Sequence, residues 1–193
     1  MPARRVVLIE SGVLKGYLLS RYPLRGFDHS NGHGRASIGN LPMARPGNLL
    51  FSFAKPASSK ALKKRLIMEA RKQGKASGLI LEGFSDFDAQ TQSDMHQSFR
   101  ISADRVIEVD AKTGAERLLR NLDLVGTPLS LANRLLAAGM DEQVFNRIST
   151  GLSGEVPISV LCPSLLFQEL ELQKSPHSPE RPPILESPLN EVK

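Results

Sequence analysis

With 193 residues, 40% hydrophobic and 23% charged, the chain has the balance of a folded globular protein, which excludes a disordered polymer and a membrane-spanning bundle. Its one cysteine, Cys162, rules out an internal disulfide framework and makes a reducing cytoplasm the expected compartment; the apolar stretch behind Arg4 and Arg5, Val6 to Ile9, is too short for a secretion signal. The net charge of +5 hides an asymmetry, because residues 1–75 carry 15 Lys and Arg against 3 Asp and Glu, and residues 76–193 carry 10 against 17.

The opening reads as a hairpin of Val6 to Glu10 and Val13 to Leu19 around a Ser11-Gly12 turn. Tyr22 to Pro46 is rich in Gly, Pro, Ser, Asn and His and reads as a long structured loop. Asn48 to Ala54 resumes as a strand. Ser58 to Gln73 carries the clearest helical period, with Leu62, Leu66 and Ala70 on one face, a serine cap at its start and Gly74 to end it. Its other face, Lys60, Lys63, Lys64, Arg71 and Lys72, reads as solvated.

Gly78 to Phe84 is expected to be a buried strand and Ser85 to Gln97 a polar loop. Val106 to Val109 and Arg117 to Leu119 flank Asp110 to Gly114, which has the turn chemistry of a hairpin tip. Pro128 to Ala138 is expected to be a second helix, capped by Thr127 and ended by Gly139. β-forming clusters fill Val144 to Leu172, and from Lys174 onward five prolines in 20 residues predict an extended tail. The expected fold is a strand-rich α+β domain over 1–173, mainly antiparallel with two short helices, followed by the tail at 174–193.

Three segments carry a family resemblance. Arg5 to Leu18 (Arg-Val-Val-Leu-Ile-Glu-Ser-Gly-Val-Leu-Lys-Gly-Tyr-Leu) is a hairpin sequence. Ser30 to Ala36 (Ser-Asn-Gly-His-Gly-Arg-Ala) and Leu41 to Asn48 (Leu-Pro-Met-Ala-Arg-Pro-Gly-Asn) form a Gly- and Arg-containing loop leading into a strand. Asp123 to Leu129, Val144 to Asn146, Val156 to Val160, Pro163 to Leu166 and Arg181 to Pro183 follow in order. Together they resemble the TldD/PmbA family of two-domain, mostly cytoplasmic zinc peptidases, over the later part of the second domain.

The resemblance implies a zinc held by two histidines of a His-Glu-x-x-x-His helix and by a cysteine in a Gly-x-Cys-Gly-x-Glu-x-Gly stretch. No His-Glu pair occurs in this sequence, and the helix is expected to lie upstream of Met1, leaving the domain incomplete at its amino-terminal side. Counting back from Val156 and Pro157 puts Ser149 at the cysteine position and Leu152 at the glutamate. A serine hydroxyl is neither soft nor readily deprotonated, so no catalytic residue and no metal ligand is assigned, and no cofactor is expected in this chain. Cys162, 13 positions beyond Ser149, reads as a buried small hydrophobe.

Asn31, Gly32, His33, Gly34 and Arg35 are the candidate substrate-binding residues: glycines allow close backbone approach, and Arg35 offers a planar fork of donors. By the resemblance this loop borders a cleft for extended peptides, so a peptide or unfolded polypeptide is the expected ligand. Asp28, His29 and His33 sit in a loop where their spacing sets no metal geometry, which favours ordinary hydrogen bonding. A serine hydrolase has no Gly-x-Ser-x-Gly elbow to support it.

The functional expectation is therefore the C-terminal portion of a TldD/PmbA-type metallopeptidase, not catalytic alone, with a non-catalytic PmbA-like partner subunit as the alternative. A homo-oligomer or a related TldD/PmbA chain is the expected partner, since a hairpin at a sheet edge invites pairing. No membrane partner is expected. Nucleic acid is disfavoured because stacking aromatics are few, at 5% of residues.

Overall fold

The structure is a computed structural model that describes residues 2–22, 24–90 and 97–175, with the backbone alone over 85–90. In chain order the elements are β1 (Ile9–Glu10), β2 (Val13–Leu14), β3 (Gly34–Arg35), β4 (Met43–Ala44), β5 (Asn48–Leu50), α1 (Ser59–Lys72), β6 (Ser77–Gln90), β7 (Ser98–Asp110), β8 (Glu116–Leu119), β9 (Leu122–Gly126), α2 (Pro128–Asn133), β10 (Leu135–Ala138), β11 (Gln143–Ser149), β12 (Val156–Cys162), β13 (Leu165–Phe167) and β14 (Glu171–Lys174). The fold is strand-rich and mostly antiparallel with two helices, as expected; β12 with β5 is a parallel pair. The chain forms two compact units, Met1–Ser59 with Ala138–Ser164, and Lys60–Ala137 with Leu165–Lys193.

The second unit is built on β7, a 13-residue strand that pairs with β6 along one edge and with β8 and β9 along the other, β14 extending the sheet beyond β9. Apolar residues of β7 and its neighbours make the core: Val106, Ile107 and Val109 are buried, as are Phe99, Ala111, Leu124 and Leu166. α1 buries Ala70 against this sheet, and Leu66 fills the space beside Gly78, where a methyl group would stand 2.6 Å from Leu66 Cγ. Its end is set by Gly74 at φ 66°, with the Lys75 amide donating back to the Ala70 carbonyl at 2.8 Å. The face read as solvated is partly occupied: Lys63 pairs with Glu116, and Arg71 Nε donates to the Ala111 carbonyl at 2.5 Å.

Two expectations for this unit are corrected and one strand is added. Ser85 to Gln97 is not a loop throughout, because β6 continues to Gln90 with an irregularity between Ser85 and Phe87. Pairing with β7 satisfies its backbone groups whatever the side chains, so polar composition alone misled. Pro128 to Ala138 is not one helix: α2 stops at Asn133, and Leu135–Ala138 is β10, paired with β13. Helix-forming Leu and Ala are overridden there by a strand partner 30 positions away. Leu122–Gly126, given no element by the sequence reading, is β9.

In the first unit β1 and β2 form the expected hairpin around Ser11 (φ 51°) and Gly12 (φ 78°), but only two residues of each arm are paired as strand. The Tyr22 to Pro46 segment is more than loop, since it contains the antiparallel pair β3–β4. The three-stranded sheet β11–β12–β5 completes the unit. Val144, Asn146 and Ile148 share one face of it with Leu161, Ser159 and Pro157, and with Asn48 and Leu50. Val144 (61%), Ile148 (63%) and Leu50 (65%) are exposed on that face. The proline-rich tail lies, from residue 176, outside the described residues.

Candidate functional site

The 30–35 loop is held by the Asn31 side chain. Its Oδ1 accepts from the Leu19 amide at 2.7 Å and its Nδ2 donates to the Tyr17 carbonyl at 2.8 Å, which settles the amide orientation. His33 Nδ1 lies 2.8 Å from the same Oδ1 and therefore carries the proton. Both side chains are committed to shaping the loop. Gly32 has φ +85°, and a methyl group there would stand 2.4 Å from the Pro2 carbonyl oxygen. The amino-terminal segment thus passes against the loop backbone, and the Arg4 amide donates to the Asn31 carbonyl at 3.2 Å.

Arg35 follows on β3. Its Nη1 donates to the carbonyls of Gly32 (3.1 Å) and Gly34 (2.8 Å), bracing the turn that precedes it. Of the predicted substrate-binding residues, then, Asn31, Gly32, His33 and Gly34 make a hydrogen-bonded frame, and the Nε and Nη2 donors of Arg35 have no hydrogen-bond partner among the described residues. Asp28 and His29 pair with each other at the surface, while His33 is turned to Asn31. Among the described residues no three His, Cys, Asp or Glu come together as a metal site.

Ser149, at the end of β11, meets Arg45. Arg45 lies just beyond β4, where its amide donates to the His33 carbonyl at 2.9 Å. Its Nη2 donates to Ser149 Oγ at 2.5 Å, and its Nη1 to the Gly154 carbonyl at 3.1 Å and to Ser153 Oγ at 3.4 Å. Room for this guanidinium depends on Gly151, where a methyl group would stand 2.6 Å from Nη1. Ser153 is buried, and its carbonyl accepts from the Ser37 amide at 3.0 Å. Leu152 is exposed. Sequence reasoning quoted Arg45 within a motif without giving it a role; the missing signal was its partner, more than 100 positions away.

These residues do not fit a zinc site. A divalent ion ligated by Ser149 Oγ at about 2 Å would stand within about 4.5 Å of a guanidinium nitrogen. At an effective dielectric of about 20, that repulsion is about 7 kcal/mol, with no thiolate to offset it. Cys162 offers no substitute, because Ser149 pairs with Val156 at one end of β12 and Cys162 closes the other. Six residues of strand separate the two ends by about 20 Å. The Cys162 thiol is half-buried, its pKa is pushed up by burial, and it donates to the Pro163 carbonyl at 3.4 Å. The expectation of a buried small hydrophobe is met only in part, since the residue is half-buried.

A second polar cluster, in the other unit, escaped the sequence reading. Asp123 on β9 is 1% exposed; it accepts from Arg100 Nε at 2.7 Å and from Ser102 Oγ at 2.9 Å, both on β7. Burial alone would push its carboxyl up, but the Arg100 and Ser102 hydrogen bonds and the guanidinium charge outweigh it and hold the carboxyl below its ordinary value. Every buried side-chain polar atom among the described residues is satisfied, so this cluster is a fastening between strands.

Comparison with known proteins gives a consistent picture. No curated protein sequence matches. The solved structure of TldE from Thermococcus kodakarensis is similar in fold, with a TM-score of 0.63 at 15% identity over 89% of this chain. This chain spans 34% of the length of that protein. The family model described as the PmbA/TldA metallopeptidase C-terminal domain matches residues 1–174. The chain belongs to the TldD/PmbA family, of which it carries the C-terminal domain.

Proposed function

We propose that this chain is the peptide-handling C-terminal domain of a TldD/PmbA-type metallopeptidase and that it does not itself hold a catalytic zinc. The observation that carries the reading is the Arg45 guanidinium seated on Ser149, a cation where the family resemblance expects a sulfur ligand to a metal. Family membership supports proteolysis as the process in which the domain takes part. The hydrogen-bonded 30–35 frame, with Arg35 presented from it, supports an extended peptide as the ligand. The single cysteine suits a cytoplasmic setting, and no helix among the described residues is long and apolar enough to cross a membrane.

Metal analysis of the purified protein, with a peptidase assay run with and without a chelator, tests the reading. The expected result is substoichiometric zinc and no chelator-sensitive cleavage. One zinc per chain, lost on Ser149→Ala, would sink it.

The exposed face of the β11–β12–β5 sheet favours a second reading, a non-catalytic subunit that assembles with a related TldD/PmbA chain. Val144, Ile148 and Leu50 expose apolar side chains on that one face, which an interface would cover. Light scattering of the protein alone and with a related chain tests it. A monomer in both samples would exclude it.

A further inference from the structure

Positive charge is concentrated on α1. Seven of the 25 Lys and Arg residues of the chain fall within residues 60–75, a stretch with one acid, Glu69. Two of the seven serve the fold: Lys63 pairs with Glu116, and Arg71 donates to the Ala111 and Lys112 carbonyls. The other five, Lys60, Lys64, Arg65, Lys72 and Lys75, are exposed. At about 100° of turn per residue, Lys64, Arg65, Met68 and Lys72 stand on the side of the helix opposite Leu66 and Ala70, which are turned to the sheet. Met68 is 66% exposed in the middle of these cations.

The stability of the helix does not account for this charge. No acid stands in its first turn, where the dipole favours one, and Lys60 stands there instead. Lys60 and Lys64 are four positions apart, so like charges meet on one row. Both choices weaken the isolated helix, and an anionic ligand would remove the penalty. The character of the face selects among anions. A membrane would need the apolar side of α1, which is turned to the sheet. The interface of a folded partner is centred on apolar and aromatic groups and is poor in lysine. A nucleic acid would use the cations but not Met68, and α1 has no aromatic residue on which a base could stack. Flexible lysines around an exposed methionine suit an acidic polypeptide of variable sequence, its carboxylates meeting the cations and an apolar side chain meeting the thioether.

We propose that the exposed face of α1 around Met68 docks acidic segments of unfolded polypeptides. This rests on the peptide reading above and deepens it by naming the class of polypeptide taken. From Lys60 to Lys72 the face runs about 18 Å along the helix axis, which an extended segment of about five or six residues spans. Glu69 leaves the face positive, because its side chain is only 16% exposed, accepts from Gln73 Nε2 at 3.0 Å and lies 3.9 Å from Lys72. Lys112, exposed and joined to the end of α1 through Arg71, extends the charge.

The test follows, by fluorescence anisotropy, the binding of a labelled, amidated peptide made of two Glu-Ala-Leu-Glu-Gly-Ser units and of the same peptide with Gln at every Glu. A mixed-sequence DNA duplex forms a third arm. At about 50 mM salt the Glu peptide is expected to bind at least about 10-fold more tightly than the Gln peptide, and to weaken at least about 5-fold at about 300 mM. In the double variant Lys64→Glu, Arg65→Glu the difference between the peptides should fall below about 2-fold, and Met68→Ser should weaken both by about 3-fold. Lys15→Glu with Arg25→Glu removes the same net charge from exposed positions in the other unit and should leave the Glu peptide within about 2-fold of wild type. Unchanged thermal unfolding confirms that each variant is folded. Equal binding of the two peptides by the wild type overturns the acidic site and leaves peptide handling intact. Equal losses in the two double variants overturn the placement on α1. Tighter binding of the duplex than of the Glu peptide, or binding unchanged in Met68→Ser, overturns the polypeptide assignment. Binding of neither peptide overturns the site and the peptide reading together.

Discussion

Asp123→Asn isolates the physics of the buried pair between β7 and β9. The substitution keeps the shape but removes the charge that Arg100 Nε (2.7 Å) and Nη2 (2.5 Å) both meet on Oδ2. Breaking a fully buried pair costs about 3–5 kcal/mol because the surviving charge is left without a partner. Here the surviving guanidinium is 38% exposed and water recovers part of the loss, so about 2–3 kcal/mol is expected. The sequence has no tryptophan, so the assay is urea unfolding followed by far-UV circular dichroism, run on both proteins from pH 7 to pH 3.

The sign of the pH dependence follows from the depressed carboxyl. Stability contributed by Asp123 is fully present above its unfolded value, near 3.8, and is lost as pH falls through the lower folded value. The gap between wild type and Asp123→Asn should be constant from pH 7 to about 5 and narrow below about 4. A gap under about 0.5 kcal/mol at pH 7, or one unchanged at pH 3, would refute the ion-pair account.

Gly32→Ala should cost about 2–4 kcal/mol, since the left-handed conformation and a 2.4 Å approach to the Pro2 carbonyl both oppose a side chain, and the Arg4 amide should exchange faster. Tolerance of alanine at 32 with unchanged exchange would show that the amino-terminal segment does not pack there. Val109→Ala, at a position 0% exposed, should lose about 1–3 kcal/mol in denaturant unfolding, whereas Ile148→Ala on the open sheet face should change stability by no more than about 0.5 kcal/mol. Equal losses at the two positions would contradict the burial contrast. The Cys162 thiol, pushed up by burial, should react with iodoacetamide at pH 8 more slowly than a free thiol and match it only after denaturation; equal rates in the folded protein would contradict its placement.

What was legible in the residues was mostly local. Ser11-Gly12, Asp110 to Gly114, the α1 period with Gly74, and the Thr127–Ser130 cap of α2 each depend on neighbours within a few positions, and each is found where expected. The family resemblance was legible too, because it rests on the order of short segments along the chain. Elements whose identity depends on a distant strand were not: β9 and β10 look like loop and helix until β7 and β13 are beside them.

The candidate site divides along the same line. Sequence alone put serine at position 149, gave the chain one cysteine and made the 30–35 loop a glycine frame around Arg35, and those identities already argued against a thiolate-held metal. Only the folded first unit decided what stands at Ser149, by carrying Arg45 across more than 100 positions to its hydroxyl, and how Arg35 is used, by bringing the Gly32 and Gly34 carbonyls to its Nη1. Hydrogen bonds and Coulomb forces act over a few ångströms of space, and a linear sequence does not record which residues chain closure will bring within that range.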